Sequence, residues 1–187
     1  MFKKSKIALV AAAALVVGAI VKTNAATVDV NLAILGWNVT IGATGSFDFG
    51  AFTVSSIDVT TGKQFTGNDY FWVEDLKGAN SGYYTTISVT DLTGANGTIS
   101  GLNVSMKVDS TSTVKISGKN NANVVVNSTL LAYTPIDTPV TFIKRDLAAN
   151  GGKIGKYAAF PWLQVTIPAY QEVGTYHATL TYTLIEN

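Results

Sequence analysis

The sequence predicts an all-β domain, a Greek-key β-sandwich lying behind an N-terminal export signal. Three observations predict it. Short stretches of strict period-two alternation recur along the chain, separated by Gly, Pro and Asn turns about every 8–12 residues. No segment carries the spacing of a long amphipathic helix. Thr, Ser, Asn, Gly and Val abound while Lys, Arg and Glu are scarce; hydrophobic residues make up 47% and charged ones 13%.

The elements follow in chain order. Val28, Val30, Leu32 and Ile34 alternate with Asp29 and Asn31 to give a first strand, and after Gly36 the stretch Trp37 to Ile41 resumes the pattern. Phe47-Asp48-Phe49-Gly50 leads into a strand ending near Ile57, and Thr60-Thr61-Gly62-Lys63 reads as a turn. Tyr70 to Val73 is a short apolar strand, and residues 75–82 read as a polar, hairpin-like loop. Tyr83, Thr85, Ile87 and Val89 share one face of the next strand. Leu102 to Val108, Val114 to Ile116 and Val124 to Val126 follow. Pro135 and Pro139 assign Thr138 to Phe142 to an edge or irregular position, and Leu147 to Gly152 to one helical turn. Trp162 to Ile167, between Pro161 and Pro168, buries Leu163, Val165 and Ile167 and turns Trp162, Gln164 and Thr166 outward. The closing strand places Tyr176, Ala178, Leu180, Tyr182 and Leu184 on the core side and His177 with four threonines on the other.

The N-terminus has the build of a secretory signal. Lys3, Lys4 and Lys6 precede an uncharged run from Ile7 to Val21, and Thr23-Asn24-Ala25 supplies small residues for cleavage between Ala25 and Ala26. The apolar run falls short of the roughly 20 residues that span a bilayer as a helix. The expectation is one secreted domain, residues 26–187, with no membrane span and no sortase-type anchor. Cleavage removes four of the 13 basic residues and none of the 12 acidic ones, leaving a net charge of −3. With no basic run, nucleic acid and anionic lipid are poor partners. The absence of cysteine excludes thiolate zinc sites, iron–sulfur clusters and a cysteine nucleophile.

No catalytic residue, metal-ligand set or cofactor is expected. His177 is the single histidine and lies on the threonine face. Glu74 and Asp75 are adjacent, so an extended backbone sends them to opposite faces, unlike a glycosidase pair. Asp75 instead starts the turn toward Lys77 and Gly78. No Gly-x-Ser-x-Gly elbow and no calcium-loop spacing occur. The four Asn-x-Ser/Thr sequons, at Asn38, Asn96, Asn103 and Asn127, match chance in a chain of this composition. Trp37, Trp72 and Trp162 are the better lead, since an outward Trp offers a stacking surface to a sugar or a partner.

Several stretches, in order, resemble the WxL domain of Gram-positive cell-surface proteins. They are Phe47 to Gly50, Val73 to Gly78, Gly82-Tyr83-Tyr84-Thr85, Val165 to Pro168, Gly174-Thr175-Tyr176, and Leu180 to Leu184. Together they span nearly the whole chain beyond the signal. Tyr83 and Tyr182 stand where that family has its two signature tryptophans, and Thr85 stands for the leucine of the first motif. The resemblance implies an immunoglobulin-like sandwich that attaches non-covalently to peptidoglycan. It singles out Tyr83, Tyr84, Tyr176 and Tyr182 as motif residues, beside Trp72 and Trp162 as outward aromatics; packing alone accounts for Tyr83 and Tyr182 as core. The expected function is that of a secreted, non-enzymatic surface protein bound to peptidoglycan or another wall polymer. The alternative is a subunit of a surface layer or filament, joined to other copies or other surface proteins through strand edges, with residues 28–34 as donor.

Overall fold

A computed structural model describes residues 39–43, 47–77, 82–119, 123–146 and 154–186. These residues belong to one compact unit, residues 35–187. Among them every regular element is a strand, apart from two short 3-10 turns at Gly101–Asn103 and Ser128–Leu131. The expected first strand at residues 28–34 and the helical turn at residues 147–152 lie outside the described residues.

All strand pairs are antiparallel, and the sheets form an all-β, sandwich-like architecture. The first sheet runs β1 (Val39–Ala43), β3 (Phe71–Asp75), β12 (Gly155–Ala159), β8 (Val114–Gly118). The second runs β10 (Thr134–Pro135), β7 (Val104–Lys107), β13 (Trp162–Ile167), β2 (Val59–Gln64). The third runs β14 (Leu180–Glu186), β4 (Tyr83–Val89), β11 (Val140–Arg145), β9 (Val124–Val126). A hairpin pairs β5 (Leu92–Gly94) with β6 (Gly97–Ile99). These orders establish the all-β class and leave the immunoglobulin-like Greek-key topology an expectation.

The first two sheets share a bent ribbon. Only Phe160 and Pro161 separate β12 from β13, and the Phe65 N–H donates to the Pro161 carbonyl at 2.9 Å, carrying the β2–β13 ladder into the bend. On one side of this ribbon β2 leads into β3, and on the other β7 leads into β8. Strands that pass between sheets at a bend in this way turn a corner without leaving backbone groups unpaired. Ile136 ties the second sheet to the third: its N–H donates to Val104 O at 3.1 Å, and its carbonyl accepts from Val89 N at 2.8 Å.

Alternation fills the core. Val73, Ile87, Val104, Met106, Phe142, Leu163 and Val165 are buried from all three sheets, each worth about 1.5–3 kcal/mol of apolar burial. Phe47 stacks on Phe65 at 4.7 Å, Phe65 meets Phe71 at 5.0 Å, and Phe71 meets Phe142 edge-on at 5.5 Å. The outward row at Trp162, Gln164 and Thr166 is as expected, as is the inward row at Leu163 and Val165; Ile167 is half-buried.

Four expectations are corrected and one holds in one of its two forms. Residues 47–57 carry no strand, because Phe47 and Phe49 turn onto the core while Phe52, Val54 and Ile57 face solvent. The strand lies instead at Val59–Gln64, where a turn was expected: β-branched Val59, Thr60 and Thr61 suit an edge strand, and Gly62 is used for close approach rather than for a turn. Residues 75–82 do not close a hairpin, since β3 and β4 belong to different sheets. Of the two positions expected for residues 138–142, the irregular one holds: β11 is interior, between β4 and β9, and its register with β4 shifts between Thr141 and Lys144, while Pro139 stands just before its first residue. The closing strand begins at Leu180, so Tyr176 and Ala178 precede it.

Candidate functional site

The outer face of the second sheet gathers an aromatic and polar platform. Register decides its composition. Trp162 on β13 lies directly opposite Lys107 on β7 and Gln64 on β2, and the neighbouring row is Ser105, Gln164, Gly62. The Trp162 indole N–H donates to the Asp109 carboxylate at 2.9 Å, and Lys107 Nζ lies 3.3 Å from the same carboxylate. That ammonium also stands 5.6 Å from the Trp162 ring and 5.3 Å from the Tyr133 ring, bridging the two aromatics by cation–π contact. The Ser105–Gln164–Gly62 row is low enough for Tyr133 to reach across: a Cβ on Gly62 would stand 3.4 Å from the Tyr133 hydroxyl. At the far end of the face, Thr60 and Thr166 join hydroxyls at 3.0 Å. The indole N–H, and after it Lys107, hold the Asp109 carboxyl below the usual carboxylate range.

The six residues singled out in the sequence do not converge. Trp162 belongs to the platform. Trp72 lies on the outer face of the first sheet, where its indole occupies the space a Gly42 Cβ would need, 2.5 Å away, and Lys156 Nζ sits 3.8 Å from its ring centroid. This cation stands closer than Lys107 does to Trp162 or Tyr133, 3.8 Å against 5.6 and 5.3 Å, so the Trp72 ring face is the more fully covered. Tyr83 is buried beside Asp75, Arg145 and Tyr157; burial, then the Asp75 charge, pushes its hydroxyl far above the ordinary value. Among the described residues that hydroxyl has no hydrogen-bond partner. Tyr84 faces outward into an open depression of about 280 Å³ with Asn127, Thr141, Lys144 and Asp146.

Tyr182 is half-buried, its ring edge-on to Phe71 at 5.2 Å, and burial raises its hydroxyl as well. Tyr176 is a corner residue rather than a core one. Its hydroxyl donates to Glu172 O and accepts from Gln171 Nε2, both at 2.7 Å, while its ring lies against the Gly94 position of the β5–β6 hairpin. His177 is exposed and exchanges backbone hydrogen bonds with Thr93.

Asp75 lies on the buried face and Glu74 on the outer one, as expected of adjacent strand residues. Asp75 does start the turn, accepting from Lys77 N at 3.0 Å. Its second oxygen meets Arg145 Nη1 at 2.5 Å, with both side chains buried, and this pair fastens β3 to β11. Among the described residues no group of three His, Cys, Asp or Glu side chains stands ready to hold a metal ion. None of their helices is long and apolar enough to cross a membrane.

Sequence reasoning missed Tyr133, Lys107 and Asp109. Lys107 and Asp109 flank buried Val108, an i, i+2 spacing that puts both on the outer face, so half of the signal was present. Tyr133 sits in no alternating stretch. No family model, no curated protein and no solved structure matches the chain.

Proposed function

We propose that the chain is an exported, non-enzymatic surface protein whose β-sandwich associates non-covalently with cell-wall polymer through the outer face of the second sheet. The observation that carries this reading is the pairing of Trp162 and Tyr133 on one outer face with the amides of Gln64 and Gln164 and the hydroxyls of Thr60 and Thr166. A pyranose ring has an apolar C–H face and a rim of hydroxyls. Aromatic faces complement the first, and side-chain amides and hydroxyls the second. The signal-like N-terminus supports export, and the resemblance to WxL domains supports peptidoglycan as the polymer. Because Lys107 is matched by Asp109, the face offers a phosphate no uncompensated cation, and the glycan strand is the better fit.

Co-sedimentation with purified wall sacculi tests the reading. The protein is expected to pellet with the wall, and Trp162→Ala combined with Tyr133→Ala is expected to raise the apparent Kd from a wall titration about tenfold, the effect of losing roughly 1.4 kcal/mol. Trp72→Ala, already covered by Lys156, is expected to leave it unchanged. A protein that stays in the supernatant, or a double variant that pellets like the parent, sinks the proposal.

A further inference from the structure

Two exposed apolar patches, a tip of the second sheet and a lateral edge of the first, carry opposite charge. The first is a tip, where β2 begins and β13 ends. Ile57, Tyr170 and Val173 are exposed there by 70%, 75% and 72%. The tip is a built feature. The Tyr170 N–H donates to Ser55 O at 2.8 Å, and the Ala169 N–H donates to the Asp58 carboxylate at 2.9 Å. Tyr170 itself has φ of 58°, the only positive φ outside glycine among the described residues. In the turn from Pro168 to Gln171 it fills the position that Gly or Asn ordinarily takes, so a large ring is held toward solvent at a cost in strain. Around it the charges are acidic: Asp58 in residues 50–62 and Glu172 in residues 168–176, with no Lys or Arg in either stretch.

The second patch is the margin of the first sheet at β8, paired with the β12 end of the ribbon. Val114, Ile116 and Ile154 are exposed there by 49%, 43% and 38%. The charged residues of the 110–119 stretch are Lys115 and Lys119, both exposed, with no acid between them. Backbone pairing is a poor use of this margin. Lys156 faces Ser117 and Tyr157 faces Lys115, so Ile116 is a bulge without a partner on β12. A bulge and a lysine on an edge strand are devices that block strand addition. What remains for a partner is side-chain contact with an apolar, basic surface.

We propose that copies of this chain associate head to tail, the acidic Ile57–Tyr170–Val173 tip of one seated on the basic Val114–Ile116–Ile154 margin of the next. Apolar meets apolar, and Asp58 and Glu172 face Lys115 and Lys119. The margin flanks β12 before the bend and the tip lies beyond the end of β13 after it, so a molecule does not satisfy its own contact. Each added copy presents a fresh tip and a fresh margin, and a contact between unlike surfaces propagates into rings or filaments. This contact is independent of the second-sheet platform and of wall binding.

Sedimentation velocity on the purified protein across a concentration series is the test. The expected result is mass that grows past the dimer with concentration and falls as salt rises, because the charge pairs are screened. Ile57→Lys with Tyr170→Lys blocks the tip, and Ile116→Lys blocks the margin; all three sites are exposed, and circular dichroism verifies the fold of each variant. Each variant alone is expected to stay monomeric. Mixed in equal amounts, they are expected to form dimers and stop, since a single intact tip and a single intact margin remain between them. A parent that is monomeric throughout, association lost in only one variant, or a mixture that gives no dimer overturns the proposal.

Discussion

At the scale of single residues, buried polar atoms decide most. Thr85 Oγ1 donates to Ile143 O at 3.0 Å and accepts from Ile143 N at 2.9 Å. It stands in for the ladder partner that β11 lacks where its register with β4 shifts between Thr141 and Lys144. Thr85→Val keeps the shape and strands both backbone groups, so it should cost roughly 2–3 kcal/mol. Urea midpoints at unchanged m-value read this directly. Tyr83 gives the opposite expectation: its hydroxyl is buried without a described partner, so Tyr83→Phe should leave the midpoint unchanged or raise it. A midpoint that drops as far as that of Thr85→Val would show that the hydroxyl is satisfied. Alternation made the inward placement of Tyr83 and Thr85 legible in the sequence. What Thr85 does there was not legible, because its partner lies 58 residues away at an irregularity that no local pattern announces.

At the scale of elements, strands were readable where both faces had a clear character and unreadable where small residues did the packing. β4 and β13 alternate strongly, and their existence and facing followed from the chain alone. β12, Gly155-Lys156-Tyr157-Ala158-Ala159, carries little strand propensity, yet it is central to the first sheet between β3 and β8. Tertiary packing explains it: a Cβ on Gly155 would stand 2.7 Å from the Tyr157 hydroxyl and 3.0 Å from Ser117 O. Gly155→Ala should therefore destabilise by about 1–3 kcal/mol through overpacking. The cost should shrink when Tyr157→Phe is combined with it, because the two changes share a contact. A double-mutant cycle in denaturant measures the coupling, and strict additivity would contradict this account. The platform is a similar case. Trp162 was visible as an outward aromatic, but its meeting with Lys107 is a matter of register and its meeting with Tyr133 a matter of long-range layout.

At the scale of the whole molecule, one buried ion pair joins the first sheet to the third. Asp75→Asn leaves Arg145 buried opposite a neutral group, and a loss of about 3–5 kcal/mol is expected. Replacing both partners by Leu and Met should recover most of that, since desolvation of the two charges offsets their attraction. Thermal unfolding of the single and double variants separates these outcomes. Alkali acts globally as well. Burial raises the hydroxyls of Tyr83, Tyr182 and Tyr157 above their ordinary value, so the folded state holds protons that the unfolded chain releases. Their contribution is complete below about pH 10 and is lost progressively above it. The phenolate absorbance of these three buried tyrosines should appear together with unfolding. Ionisation of Tyr83, Tyr157 and Tyr182 in a protein that stays folded would refute this.

The same scale shows where the described chain enters and leaves the fold. Val39 opens β1 opposite Asp75, and Glu186 closes β14 opposite Tyr83; Lys77, two residues beyond Asp75, forms a salt bridge with Glu186. Entry and exit therefore sit side by side. Joining the chain ahead of Val39 to the chain after Glu186 would bridge a short gap, and the exposed Ala95–Asn96 turn offers a place to open the backbone anew. For the same reason, the compact unit of residues 35–187 suits insertion whole into a surface loop of a host protein, with its two ends at β1 and β14 already neighbours.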